Sequence, residues 1–267
     1  MSSIKPVIVC IAKLEHDYIE EFVNYHLALG FSHIFIYDNE DIPTYKKLLE
    51  KYQNNITVIH FPGLYKQYEA YYHFFTNIMF PYDLTHVAII DVDEFFVLKK
   101  HSNIIEFIKE FIVRDCQGIA INWRLFGSSL NKFKSNEPLT QRFTLCQKNG
   151  HKLIKSLFKK DNLTSLNTMR RPVFVDGTGY LKNTKGDIIT SPFNNNIDFS
   201  YIQLNHYKCK TFEEYKYIRT RGLADGFIDI KKHLENLEED FNHYDINEIE
   251  DLTAKNFYQN VLISQPQ

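Results

Sequence analysis

The residues with the clearest chemical potential are two aspartates separated by one residue, Asp91 and Asp93. They follow the apolar run at 87–90, which predicts a buried strand. Since residues i and i+2 of a strand face the same side, an extended segment would point both carboxylates at one divalent cation. Oxygen ligands with room left for phosphate suit Mn²⁺ or Mg²⁺ holding a nucleoside diphosphate. The pair therefore predicts a metal site for a nucleotide-linked substrate.

The elements that lead up to this pair alternate between strands and helices. Apolar runs predict strands at 6–12, 31–37, 56–61 and 87–91, and amphipathic segments predict helices at 17–29, 44–52 and 67–79. Four strands separated by helices predict an α/β fold with a doubly wound, mostly parallel sheet and right-handed crossovers. Asp91 and Asp93 are then expected at the carboxyl edge of the sheet, where such folds bind ligands.

The residues after 98 predict a smaller region with mixed or antiparallel pairing. The patterns here indicate a helix at 103–113 and strands at 118–126, 151–159, 172–176 and 201–207. The polar stretch 127–138 is too long for a simple turn and predicts a substrate loop. We expect one domain over residues 1–233, divided into halves at 1–98 and 99–233, followed by a helical tail on the surface at 234–267.

Composition excludes several classes of partner. Lys and Arg number 31 against 33 Asp and Glu, a formal charge of −2, so no basic field points to nucleic acid. No apolar run of 18 residues predicts a transmembrane segment. The four cysteines form no Cys-x-x-Cys pair, which indicates reduced thiols. These features predict a cytoplasmic protein, either free or peripheral at a membrane, with a small-molecule partner.

Several short segments, in order along residues 7 to about 225, resemble the bacterial and viral glycosyltransferases related to families 2 and 92. Among them are Ile11 to Glu15, Asp91 to Phe95, Asn122-Trp123, Phe126 to Ser129, Lys155-Ser156, His206-Tyr207 and Arg221-Gly222. The resemblance implies the GT-A fold and a nucleotide-sugar donor, a UDP-sugar above all, in the N-terminal half. It also implies a glycan or glycoconjugate acceptor at the later loops, and metal-dependent transfer with inversion.

The resemblance gives roles to particular residues of the metal site. Asp93 is expected to be the direct ligand, and Asp91 to bind the metal or to reach the ribose or a metal-bound water. His206 is expected to complete the site, because a neutral imidazole is an acceptable ligand for Mn²⁺. Glu94 is expected on the opposite face, supporting the site from behind. Arg221 is the first choice to neutralise the diphosphate, with Lys208, Lys210 and Arg219 as alternatives.

Donor and acceptor contacts are also predicted from positions in the fold. The ends of the first two strands are expected to contact uridine and ribose, through Ala12, Lys13, Glu15 and Asp38. Capping of helices by Glu15 and Asp38 is the alternative. The acceptor cleft is expected to be shaped by Trp123, Phe126 and Gly127, with a core position as the alternative for Trp123. The general base of an inverting transfer is expected among the carboxylates of the later loops, namely Glu137, Asp176 and Asp198.

Two other classes of protein also fit part of this pattern. A nucleotidyltransferase, which makes sugar nucleotides, combines a doubly wound sheet with metal-binding aspartates, but it usually carries a Gly-rich basic loop after the first strand. Residues 12–16 read Ala-Lys-Leu-Glu-His and lack that loop. A non-catalytic carbohydrate-binding module would bind sugar without releasing nucleoside diphosphate, which separates it from a transferase by experiment.

Overall fold

The computed structural model describes residues 3–168, 171–220 and 235–263. Its strands are β1 Pro6–Ala12, β2 His33–Asp38, β3 Ile56–His60, β4 His86–Ile89, β5 Glu94–Leu98, β6 Cys116–Leu125, β7 Leu145–Cys146, β8 His151–Lys159, β9 Leu163–Thr168, β10 Arg171–Phe174, β11 Tyr180–Lys182, β12 Ile202–His206 and β13 Ile249–Glu250. Its α-helices are α1 Ile19–Ala28, α2 Tyr45–Leu48, α3 Gln67–His73, α4 Ile104–Phe111, α5 Leu139–Arg142, α6 Phe212–Arg219, α7 Leu237–Tyr244 and α8 Thr253–Phe257. A 3-10 helix at Glu50–Tyr52 and π-helical segments at Phe74–Ile78 and Tyr258–Ile263 complete these elements.

A central sheet organises the described part of the chain. Its order is β3-β2-β1-β4-β8-β6-β12-β5, and β11 pairs with β6 beside this path. The strands β1 to β4 are mutually parallel, β6, β11 and β12 run in the same direction, and only β8 and β5 run against them. The predicted α/β class and the mostly parallel sheet are therefore confirmed.

Alternation along the strands divides the core between the two faces of the sheet. In β1, the side chains of Ile8 and Cys10 join one apolar cluster, which also contains α1 and α4. The intervening Val7 and Val9 join the second cluster, which packs beneath α3. Because both faces are covered, the strands read as continuous apolar runs, and this is why the sequence located them well.

The helix ends follow local rules that the sequence also displays. Helix α1 ends before Gly30, whose φ of +104° is a left-handed conformation that favours glycine. Helix α6 begins with a capping box, in which Thr211 and Glu214 each bond the backbone N–H of the other. The first of these ends confirms a prediction. The second fixes the orientation of the Glu214 side chain.

The segment after residue 234 is joined to the rest of the fold in two ways. Strand β13 pairs with β7, and Ala254 of α8 is buried in the main core. The ring of Phe257 lies 4.9 Å from that of Tyr25 in α1. The predicted short helices correspond to α7, most of whose residues are at least partly exposed, and α8, which is attached to the main core through Ala254. Within the described residues, no helix is long and apolar enough to cross a membrane.

Candidate active site at the carboxyl edge of the sheet

The two aspartates lie in a turn that joins β4 to β5. The N–H of Glu94 donates to the carbonyl of Asp91 at 3.0 Å, and the N–H of Asp91 donates to the Glu94 carboxylate at 2.8 Å. The chain thus turns back after residue 91, and β5 runs antiparallel to β12. The prediction of an extended segment with both carboxylates on one side is wrong. Instead, the two carboxylates contact different lysines.

Asp91 is held by a buried cation on the neighbouring strand. The Lys155 Nζ of β8 lies 3.0 Å from Asp91 Oδ2 and 3.2 Å from Glu94 Oε2, and Gln67 Nε2 lies 3.3 Å from Asp91 Oδ1. Burial raises the pKa of Glu94 to about 8, against the opposing effect of Lys155. Glu94 supports the turn, but it shares Lys155 with Asp91, so the expectation that it would lie on the opposite face is wrong. The Asp91 side chain keeps about a third of its surface exposed.

Asp93 faces the end of β12 on the other side of the turn. Its Oδ1 lies 3.6 Å from His206 Nε2 and its Oδ2 lies 3.5 Å from Lys210 Nζ. The Asp93 carbonyl accepts a hydrogen bond of 2.9 Å from Tyr207 N, so the turn is fixed to the strand that carries His206. The predicted proximity of Asp93 and His206 is observed. Asp93, His206 and the Lys210 ammonium group thus meet where the turn joins the end of β12.

His206 is a neutral base in a buried position. Burial lowers its pKa, and the nearby Asp93 opposes this effect without cancelling it. The Trp123 ring packs at 4.4 Å from the imidazole and at 51° to it. A neutral imidazole held by an aromatic wall is a suitable metal ligand. Trp123 therefore orients His206.

The residues predicted to shape the acceptor cleft are buried. Trp123 is 7% exposed and Phe126 is 1% exposed, with the Phe126 ring 4.9 Å from that of Tyr207. Gly127 packs against the C-terminal segment, because a Cβ there would lie 2.6 Å from the carbonyl oxygen of Ile246. Burial favours the core alternative for Trp123, and the acceptor roles of these three residues stay predictions.

The predicted donor residues do lie at the carboxyl edge, but most are turned inward. Asp38 is fully buried, and its carboxylate accepts from the backbone N–H groups of Glu40, Thr44 and Tyr45. This is the capping alternative, and the ribose contact predicted for Asp38 is wrong.

The other three predicted donor contacts end or follow β1. Ala12 and Glu15 are buried, whereas the side chain of Lys13 is partly exposed, with Nζ 3.4 Å from Asp41 Oδ1. Of the donor residues on β1 and β2, Lys13 thus has the most accessible side chain. The prediction for Arg221 lies outside the described residues.

Two of the three predicted base residues lie at the wrong end of the sheet. Asp176 precedes β11, which pairs with the start of β6, whereas the site is at the end of β6, about 30 Å away along ten residues. Asp198 precedes the start of β12, and hydrogen bonds from Ser200 and Thr184 outweigh burial and lower its pKa. The base roles predicted for Asp176 and Asp198 are therefore wrong. Glu137 is exposed in the loop 127–138, and its role stays a prediction.

A cleft of about 480 Å³ adjoins this edge and was not predicted from the sequence. Tyr18 belongs to its wall, and the Lys210 Nζ that contacts Asp93 lies 4.8 Å from the Tyr18 ring centre. The lining residues come from the segment between β1 and α1, the loop 127–138, and helix α6 with the residue that follows it: Leu14, His16, Asp17, Tyr18, Lys134, Glu213, Glu214, Lys216, Tyr217 and Thr220. Because these segments are far apart in sequence, no local motif marks the cleft.

The fit of a divalent cation can be judged from the groups present. No group of three His, Cys, Asp or Glu side chains in the described ranges is arranged to hold a metal ion. Asp93 and His206 together offer one carboxylate and one imidazole, 3.6 Å apart. Two protein donors are sufficient where substrate phosphates and water supply the remaining ligands, as Mg²⁺ sites commonly do. The donor set thus fits a cation that arrives with a diphosphate.

Comparison with known proteins adds a family to this geometry. The family model described as Glycosyltransferase family 92 matches residues 5–257. The crystal structure of S. aureus TarS, residues 1–349, aligns with 90% of this chain and 71% of that chain, at a TM-score of 0.38 and 13% identity. No curated protein matches the sequence significantly. The family match extends past residue 234, into the segment for which the sequence suggested no relative.

Proposed function

Because the chain belongs to glycosyltransferase family 92 and is a glycosyltransferase, we propose that it takes a nucleotide-sugar donor, specifically a UDP-sugar. The acceptor is a hydroxyl group of a glycan or glycoconjugate, and transfer depends on Mn²⁺ or Mg²⁺ and inverts the anomeric carbon. The observation that carries this proposal is that a carboxylate, an imidazole and an ammonium group, those of Asp93, His206 and Lys210, meet at the carboxyl edge of the sheet.

Asp93 and His206 would hold the cation. Asp91, which is ion-paired with Lys155, would lie beside it. A bound cation would supply positive charge to the leaving diphosphate. Lys210 and Lys208 bring further positive charge to the same place, although burial lowers the pKa of Lys208 to about 8. The barrier falls because these groups meet the negative charge that develops on the leaving phosphate oxygen.

Inversion requires one displacement and one base. The bond between the anomeric carbon and the diphosphate oxygen breaks as the acceptor oxygen bonds to that carbon, and the acceptor proton passes to a carboxylate. Glu137 remains the candidate from the sequence, because its loop also supplies Lys134 to the cleft. Product NMR from an α-linked donor tests the stereochemistry: a β-linkage is expected, and an α-linkage would exclude a single displacement.

A panel of nucleotide sugars tests the donor class. Binding to the folded protein raises its apparent stability, so we expect a UDP-sugar to raise the melting temperature in Mn²⁺ and much less in EDTA. Release of UDP from the same donor should follow. A nucleotidyltransferase would instead release pyrophosphate from a nucleoside triphosphate, and a binding module would release neither product. Thermal shifts of equal size with and without metal would overturn the metal-dependent part of the proposal.

A further inference from the structure

The cleft beside the metal site has the size and position of a second substrate site. Its volume of about 480 Å³ lies within the range of small-molecule pockets. The Lys210 ammonium lies 3.5 Å from Asp93 and 4.8 Å from the Tyr18 ring, so the cleft wall and the proposed metal ligand are within about 8 Å. A group bound in the cleft can therefore approach a donor held at Asp93.

One wall of the cleft is built from buried, mutually bonded side chains. Tyr18 Oη donates to Glu214 Oε1 at 2.8 Å, and Arg142 Nη2 lies 2.6 Å from the same oxygen. The Thr211 capping box fixes Glu214 from the other side. Because these bonds hold the Tyr18 and Glu214 side chains in place, this wall is ordered before any ligand binds, which reduces the entropy lost on binding.

The charges that line the cleft balance one another. Asp17 forms an ion pair with Lys134, and Glu214 is paired with Arg142, which does not itself line the cleft. Glu213 and Lys216 lie on the exposed side of α6 and carry opposite charges. A cleft without excess charge does not select an anionic or cationic ligand, but its carboxylates and ammonium groups can bond many hydroxyl groups.

An exposed aromatic ring completes the lining. Tyr217 of α6 is 51% exposed although it belongs to the cleft. Its ring offers a flat apolar surface with a polar tip, which suits a ligand that has both apolar C–H faces and hydroxyl groups. Sugar rings have this combination.

We infer that this cleft binds the acceptor as an uncharged glycan, with a sugar ring stacked on Tyr217 and hydroxyl groups bonded by Asp17, Lys134 and Glu213. The inference rests on the proposed transferase function and names the acceptor class for it. Asp17 and Glu213 also bring carboxylates to the acceptor, where the proposed reaction requires a base.

Ligand-observed NMR on the full chain tests this assignment. The probes are methyl β-glucoside, methyl β-galactoside and lactose as uncharged sugars, with glucuronate as the anionic comparison, each measured with saturating UDP and Mn²⁺. We expect saturation transfer to at least one uncharged probe, and a stronger effect than to glucuronate. Tyr217→Ala should weaken that binding about tenfold, whereas Tyr217→Phe should retain it because the ring remains.

Tyr72→Ala is the matched control, since Tyr72 is a 62% exposed tyrosine on α3, away from the cleft lining. It should leave sugar binding unchanged. The inference is overturned if no uncharged probe binds, if Tyr217→Ala binds as well as Tyr72→Ala, or if UDP displaces the sugar from the cleft. Calorimetry of UDP with Mn²⁺ on the same samples distinguishes failure of the acceptor inference from failure of the donor proposal, because UDP binding does not require a sugar acceptor.

Discussion

Two groups of buried charges in this protein differ in how completely they are paired. One is the Asp251 network, in which the carboxylate Oδ2 lies 2.9 Å from Lys99 Nζ, 3.0 Å from Arg124 Nη1 and 2.9 Å from Gln203 Nε2. The other oxygen accepts from Thr253 N at 2.9 Å. All of these distances are those of good hydrogen bonds, so the network joins the C-terminal segment to the sheet and has no room for a ligand.

The carboxyl edge shows the opposite arrangement. Asp93 lies 3.6 Å from His206 and 3.5 Å from Lys210, and within the described residues His206 Nδ1 and Glu94 Oε1 are buried without a hydrogen-bond partner. Unsatisfied buried polar atoms are costly, and they concentrate where a protein has a function other than stability. On the proposed function, the comparison separates a network that stabilises the fold from a cluster that binds the donor.

The largest expected effect is on activity at the carboxyl edge. Asp93→Asn preserves shape but removes charge, and it should reduce transfer about 1000-fold, close to 4 kcal/mol in the transition state. The variant should still fold, at a lower melting temperature, because Lys210 is buried beside this carboxylate. Asp198→Asn is the control and should retain activity, because Asp198 lies at the other end of β12. Steady-state UDP release measures both. Activity of Asp93→Asn within tenfold of the wild type would contradict a direct role in the reaction.

The next largest effect is expected on the free energy of unfolding, through the Asp251 network. Asp251→Asn leaves Lys99 and Arg124 largely buried without their counter-charge, and we expect the free energy of unfolding to fall by about 3 kcal/mol. Urea denaturation followed by circular dichroism measures the loss. Asp115→Asn, which breaks an exposed pair with Lys182, is the control and should change little. Equal stability of the two variants would show that the Asp251 network contributes no more to folding than an exposed ion pair.

Lowering the pH should remove the stability that the Asp251 network contributes. Burial alone would raise the pKa of Asp251, but the hydrogen bonds from Lys99 and Thr253 outweigh it and hold the pKa well below the usual range. The network therefore contributes its stability above the unfolded pKa, near 3.9, and loses it as pH falls below about 4. Denaturation curves between pH 2.5 and pH 6, as a rough window, should show a shallower acid loss for Asp251→Asn than for the wild type. Parallel curves would argue against a depressed pKa.

A smaller effect is expected where the C-terminal segment meets the loop 127–138. A Cβ on Gly127 would clash with Ile246 O at 2.6 Å and Asn247 Oδ1 at 2.5 Å, so Gly127→Ala should lower the stability by about 1–2 kcal/mol. Gly186→Ala shows the separate cost of backbone strain, since φ there is +90° and a Cβ meets nothing within 4 Å. A Gly127→Ala variant as stable as the wild type would show that close packing at Gly127 does not hold the C-terminal segment.

Local sequence patterns were enough to predict the sheet and the position of the aspartates. Strands such as β1 are buried on both faces, so they appear as apolar runs, and the α/β order follows from their alternation with helices. The pairing of Asp93 with His206 was also predicted, because both residues end or follow strands that point to the same edge. These predictions succeeded because the hydrophobic periodicity and the order of strands and helices along the chain determine the sheet and the strand ends.

Features that depend on distant residues were not predictable in the same way. The turn at Asp91 depends on a buried lysine from β8, 64 residues later in the chain. Trp123 and Phe126 have the aromatic character of a sugar-binding surface, and only their burial assigns them to the core. Asp176 and Asp198 were chosen by residue type, without knowledge of the strand end at which each would lie. The cleft combines three separate segments, which no local pattern could reveal.

Calorimetry of UDP binding tests the central claim most directly, namely that Asp93 and His206 form a metal-dependent diphosphate site. Wild-type protein should bind UDP more tightly in Mn²⁺ than in EDTA. His206→Ala should weaken the binding about tenfold or more in Mn²⁺ and leave the weaker binding in EDTA nearly unchanged, because the imidazole acts through the cation. Equal losses in Mn²⁺ and EDTA, or wild-type binding that ignores the metal, would contradict the account.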